Sequence, residues 1–489
     1  MNTGSPFRAW GALGILMVLV TAGCQVGTAA VVAPTSPAQP APAVTLVPSA
    51  SAGGASAKPG GRWVPAGRPM AGCCGAAVPL ADGGALAIGD GTTVQRWDRA
   101  TATWHKVAAL NAPRGYFVAV PLRDGHILVT GGLDTHDWNR WQAYSSTYVY
   151  DPSTPTGSWT KVGLLGMARV APAAAVLRDG RVLVAGGAYK DGPPYPGTGS
   201  VGISLASATS IAPGPGAGSG GRLDDVAPPS IGVALATAEL FDPATGRWSP
   251  TGSMRFARAG AAAVTLSDGR VLVVGPSSYG DGMSWAQMDP RVFGTAEVYD
   301  PATGRFSLVG SLPPIDRAAL AAAGVAVPTS DPDESQIGTL VALPDGGALL
   351  VGHDDEWKHA GAVTRTFRFD PRSGRWRQVG RAWAGFWDWS VQRAWHQTPG
   401  VDLAGAFAAA LPDGRVLIAG GCTYPSSQRY ENKQCQPSSV ARLYNPVTNA
   451  WSNLPSMPAG GGGDAVPLAD GSVLLIGGAE TTIRFVPSR

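Results

Sequence analysis

The chain has 489 residues, 44% hydrophobic and only 15% charged, with 67 glycines, 42 prolines and a formal charge of +3. That much glycine and proline beside so few charges excludes a helical or coiled-coil protein and describes a turn-rich, well-packed β protein. The small charge, read as spread along the chain without a basic run, excludes nucleic acid as an expected partner.

Arg8 is the only charge ahead of an apolar run at 9–20, and Thr21-Ala22-Gly23-Cys24 follows. A short apolar core closed by small residues reads as a signal peptide, too short to remain as a spanning helix. Cys24 directly after Ala-Gly resembles a bacterial lipobox, whose cysteine is lipidated and becomes the new N-terminus. The resemblance implies a protein that is secreted and anchored by lipid to the outer face of the bacterial cell membrane. The other reading is an ordinary signal peptide within residues 1–24. No twin arginine is present, so general secretion is expected. Residues 25–59 are mostly Ala, Pro, Ser, Thr, Val and Gly with one charge, Lys58. Such a segment cannot bury a core and reads as a disordered, semi-extended tether.

Across residues 60–489 one pattern returns seven times: an Asp-Gly turn followed by an apolar run that ends near glycine. The turns are Asp82-Gly83, Asp124-Gly125, Asp179-Gly180, Asp268-Gly269, Asp345-Gly346, Asp413-Gly414 and Asp470-Gly471. Asp-Gly between apolar runs predicts a tight hairpin with both turn positions at positive φ. A unit of about 40–50 residues with insertions predicts a propeller blade. A third strand follows, as in Ala238-Glu239-Leu240-Phe241-Asp242. A fourth opens on Trp104, Trp159, Trp248, Phe306, Trp376 or Trp451. The seventh unit stops after its third strand, whereas Gly61-Arg62-Trp63 copies Gly246-Arg247-Trp248. The N-terminal piece is therefore expected to be the missing fourth strand, closing the ring and removing two edges. Paired glycines after strand two, a Tyr-like residue in strand three and Trp in strand four resemble the kelch repeat. The expected fold is an all-β, seven-bladed kelch-type β-propeller over 60–489.

Length varies in the connections between second and third strands (133–145, 188–236, 276–294, 353–363, 422–440) and in two blade-to-blade connections (312–337, 380–404). In the kelch arrangement these emerge on one face, where binding is expected. The Gly-rich 216–221 matches G-x-G-x-x-G, but no strand–turn–helix surrounds it, and it reads as a loop. Trp138, Trp141, Trp285, Trp357, Trp383, Trp387, Trp389 and Trp395 fall in these connections, outside the repeat positions. They are the candidate ligand-binding residues, as a platform for sugar rings or another apolar ligand. The alternative is packing under their own loops. His353 and His359 flank three acids and are the residues a divalent metal would use, although no ligand-spacing motif supports one. No cofactor is expected. Arg114, Arg169, Arg258 and Arg317 stand ahead of first strands, either as an anion-binding ring or as caps and salt-bridge partners. Cys422 and Cys435 bracket one loop and are expected to form a disulfide in an oxidising compartment.

Cys74, just ahead of the first Asp-Gly turn, and Tyr116, in Ala112-Pro113-Arg114-Gly115-Tyr116, resemble part of the galactose oxidase family. There, a Cys and a Tyr at such positions form a thioether-linked radical cofactor on copper. That copper also needs a Tyr-His pair at a later first strand. The matching places hold Val170-Ala171, Ala259-Gly260 and Ala404-Gly405, and no Tyr-His dipeptide occurs in the chain. The expected function is a monomeric cell-surface binding module for a carbohydrate or protein ligand. The alternative is an extracellular enzyme, either a copper radical oxidase relative or another propeller enzyme.

Overall fold

The structure, a computed structural model, describes residues 60–69, 75–89, 91–134, 143–189, 233–275, 294–313, 336–355, 361–379, 383–388, 394–397, 406–423, 436–460, 463–477 and 482–488. Among them there is no helix, only strands in antiparallel sheets. Seven sheets succeed one another as the blades of a propeller. Blade one is typical: Ala76–Pro79, Ala85–Ile88, Val94–Asp98 and Thr103–Lys106 pair in chain order. Blade seven takes its first three strands from Gly463–Pro467, Val473–Gly477 and Thr482–Pro487. Its fourth is Gly61–Pro65 from the other end of the sequence, with Trp63 opposite Phe485. The expected closure is the observed one.

The repeat residues explain how each blade holds together. The third-strand aromatic and the fourth-strand aromatic are register partners in every blade: Trp97 with Trp104, Tyr150 with Trp159, Phe241 with Trp248, Tyr299 with Phe306, Phe369 with Trp376, Tyr444 with Trp451, Phe485 with Trp63. In the last six their ring centroids lie 4.9–5.1 Å apart and tilted, a favourable aromatic geometry. The first strands converge on the axis and are accordingly small: Ala76 and Ala77, Ala173 to Ala175, Ala262 and Ala263, Ala408 and Ala409 are all buried. The apolar clusters lie between blades, each joining residues of two neighbours.

The Asp-Gly turns differ from the expected two-residue form. Only the glycine has positive φ, at 81–94° across the seven turns. The bonds Gly83 N to Leu80 O and Leu80 N to Gly84 O enclose three residues: a type I turn ending in a left-handed glycine. The aspartate sits inside the turn and accepts the amide two residues on, as Asp124 does from His126 at 3.0 Å.

Three sets of backbone bonds tie blade to blade. At the periphery Gly163 donates to Gly246, Gly252 to Gly304 and Gly310 to Gly374, at 2.7–3.0 Å. On the long-loop side Gly132 donates to the Arg169 carbonyl and Gly187 to that of Arg258, both at 2.7 Å. This approach is why glycine is paired there: a Cβ on Gly186 would lie 2.4 Å from the Arg258 oxygen. Nearest the axis Ala171 donates to Tyr116 and Gly260 to Ala171, at 2.7 and 2.8 Å.

Blade five departs from the pattern. Its second and third strands, Ala348–Asp355 and Gly361–Asp370, have 8 and 10 residues, against 4 and 5 for Val271–Val274 and Ala296–Asp300 in blade four. The lower half of the long strand pairs with Arg375–Gln378 and its upper half, from Gly361 to Thr364, with Trp383–Asp388. Ala394–Gln397 then pairs with that strand. Residues read as loops within 353–363 and 380–404 therefore continue the sheet above the ring. At roughly 3.3 Å per residue this wing adds about 15 Å of height.

Candidate functional site

The long-loop face is built on buried arginines. Arg169 and Arg258 are 1% and 0% exposed. Each guanidinium bonds two backbone carbonyls of its own blade, Gly186 and Thr237 for Arg169, Gly275 and Thr295 for Arg258. Each also meets a buried acid: Glu239 at 3.0 Å and Glu297 at 3.2 Å. Those carboxylates accept in addition from the turn ahead of the arginine, Gly166 N for Glu239 and Arg255 N for Glu297. Burial pushes both arginines down, and the acids pull them back up. Of the two readings of these residues, the structure selects salt-bridge partners over an anion-binding ring. Arg317 lies outside the described residues.

Blade two is the exception. The register position of Glu239 is taken by Tyr148, since Phe241 corresponds to Tyr150. Arg114 instead lies 4.7 Å from the Tyr144 ring and 5.1 Å from the Tyr148 ring, and donates to Gly131 O and to Ser146. Without an acid, burial lowers its pKa to about 10. Two cation–π contacts take the place of one ion pair.

Tyr116 is half-buried beside this arginine, at φ 55°, a left-handed conformation unusual for a large side chain. The corresponding residues of the next two blades are Ala171, at φ 50°, and Gly260, at φ 67°. Neither carries a metal-ligating side chain, so among the described residues the donor set around Tyr116 does not fit a copper site. Cys74 lies outside the described residues. Among the described residues no group of three His, Cys, Asp or Glu is placed to hold a metal.

Of the tryptophans singled out from sequence, Trp383, Trp387 and Trp395 stand in the strands of the blade-five wing, with Trp387 directly opposite Trp395 and Trp383 opposite Thr364. Trp138, Trp141, Trp285, Trp357 and Trp389 lie outside the described residues, as do Cys24, Cys435 and His359. Cys422 and His353 are placed only as strand positions, opposite Pro437 and Thr364.

One feature of the surface escaped the reading of charge. Arg368, Arg372, Arg375 and Arg377 all belong to the third and fourth strands of blade five and their turn. This hairpin therefore carries a local excess of positive charge. The signal available in the sequence is arginine at two alternate positions of a fourth strand, where the equivalents in blades three, four and six have serine second: Ser249, Ser307, Ser452.

A model of the kelch motif matches residues 405–458, which span blade six. The Kelch-like protein terF of Aspergillus terreus is 31% identical over 109 residues, which is 22% of this chain and 23% of that protein. The match thus spans less than a quarter of that relative's length. Among solved structures, YjhT is similar over 85% of this chain and 94% of its own, at 15% identity and a TM-score of 0.44. From its blades, its closure and the motif in the sixth unit, the chain is a seven-bladed β-propeller that carries a kelch motif.

Proposed function

We propose that this propeller is a non-catalytic binding module whose protein or carbohydrate ligand docks on the long-loop face, at the wing of blade five. The observation that carries the reading is the wing itself, a sheet extended above a rigid ring, with Trp387 in register with Trp395. Rigid scaffolds present recognition elements in this way, and the kelch motif of blade six favours a protein-binding role over catalysis. On the same reading Cys24 carries a lipid, and residues 25–59 hold the domain off the outer face of a bacterial membrane.

The test is to replace residues 383–397 by a short Gly-Ser linker and screen the variant and the parent against secreted proteins and surface oligosaccharides. The reading requires a ligand that the parent retains and the variant loses at unchanged melting temperature. A ligand bound equally by both would overturn it.

A further inference from the structure

The hairpin at 366–378 contains four arginines and one aspartate, a net +3 that equals the formal charge of the whole chain. The corresponding hairpins of blades three and four, 238–250 and 296–308, each hold two acids and one arginine. Asp370, already counted in that net charge, caps its own turn, one oxygen accepting Arg372 N at 3.0 Å and the other the Ser373 hydroxyl at 2.8 Å, and stands in register with Arg375. Arg368 is engaged with Asp345 and with the Pro446 carbonyl of blade six. Arg372, Arg375 and Arg377 are exposed, and none of them forms an ion pair among the described residues.

Arg375 and Arg377 flank buried Trp376, so both project from the same side of the fourth strand, about 6.5–7 Å apart along it. Among the described residues this strand pairs only with Gly361–Asp370 and is an edge. Arg377 stands directly opposite Arg368, and like charges opposed across a sheet are destabilising. Blunting an edge against aggregation takes one charge, and the fourth strands of blades three and four carry one each, Arg247 and Arg305. The second arginine needs a different account.

We propose that this edge is a docking surface for an extended acidic segment of a partner protein, whose alternate carboxylates pair with Arg375 and Arg377 while its backbone continues the sheet. Strand addition supplies main-chain bonds, and charge complementarity sets the register. This surface adjoins the wing along the same strand of blade five but uses none of its residues, and its failure would leave the wing reading untouched.

The probe is a fluorescent ten-residue peptide of alternating Glu and Val, titrated into the full chain by anisotropy at low and at 0.5 M salt. Anionic vesicles, a sulfated polysaccharide and duplex DNA are run in parallel. We expect binding that salt weakens, that drops about tenfold in Arg375→Gln/Arg377→Gln, and that is unchanged in Arg181→Gln/Arg415→Gln on the Asp-Gly turns. The reversal Arg375→Glu/Arg377→Glu should transfer binding to an alternating Lys-Val peptide. No binding of the Glu-Val peptide, equal loss in both Gln variants, or binding confined to vesicles, polysaccharide or DNA would each overturn the proposal.

Discussion

Arg258 and Glu297 form an ion pair with neither side chain exposed to water, Nη2 to Oε1 at 3.2 Å. The carboxylate also caps two amides, those of Arg255 and Phe256, so one acid links a buried cation to the chain entering blade four. Breaking such a pair leaves a charge stranded. Glu297→Ala should therefore destabilise the protein by about 3–5 kcal/mol. Arg114, which has aromatic rings in place of the acid, strands no carboxylate when removed. Arg114→Met should cost less than Arg258→Met in a denaturant titration, and the reverse order would contradict this account of the network.

The indole of Trp248 donates to the Thr147 hydroxyl of the preceding blade at 3.0 Å, and that of Trp104 to Thr482 at 3.1 Å. The Trp376 indole nitrogen is buried without an acceptor, and the equivalent position of blade four is Ala296, which has no hydroxyl; the Trp451 nitrogen is likewise unpartnered although Thr366 holds that position in blade five. A buried unpaired donor costs about 1–3 kcal/mol, and a made bond contributes about 1. Trp376→Phe should therefore be tolerated better than Trp248→Phe, as read by melting temperature. Equal losses would count against it.

Deleting residues 60–65 removes the strand that carries Trp63, along with its indole bond to Pro455 O at 2.8 Å. Trp63 is half-buried, so Trp63→Ala alone should cost less than the about 3–5 kcal/mol of a fully buried tryptophan. The deletion should lower the stability of the whole ring, whereas removing 25–55 should change the melting temperature little. Similar effects from the two deletions would contradict closure by the N-terminal strand.

Asp179, Asp268 and Asp413 each lie beside an arginine two residues on. Burial pushes these carboxyls up, but the bonds and charge of Arg181, Arg270 and Arg415 outweigh it and hold them below the ordinary value of 3.8. A depressed carboxyl gives stability that is present above its unfolded value and disappears as pH falls through the lower folded one. The triple Asp→Asn variant should be less stable than the parent at pH 7, with the gap closing below about pH 4. A gap independent of pH would refute the assignment.

Blade count, strand order and closure are legible in the sequence because each rests on a residue that only one position accepts. Glycine ends each turn, an aromatic pair spans strands three and four, and Gly61-Arg62-Trp63 repeats the fourth strand. The turn type is not, since Asp-Gly suits both two- and three-residue loops and only the bond from Gly83 to Leu80 decides. The wing is hidden because Trp383–Asp388 pairs with the upper half of a strand whose lower half already has a partner, a branching that no periodicity encodes. The Arg–Glu networks are hidden for a related reason: Arg169 and Glu239 are 70 residues apart in sequence. The basic hairpin is visible in the sequence but a chain-wide sum does not locate it.

The most direct measurement is a calorimetric titration of a ligand recovered in the screen into the full chain and its Trp387→Ala and Trp395→Ala variants, with melting temperatures taken on the same samples. Loss of one aromatic contact is worth about 1 kcal/mol, or roughly fivefold in affinity. The account predicts a loss of that size or more in each variant, with little change in melting temperature. A drop of several degrees in melting temperature with affinity unchanged would make these tryptophans packing residues and contradict a binding wing on blade five.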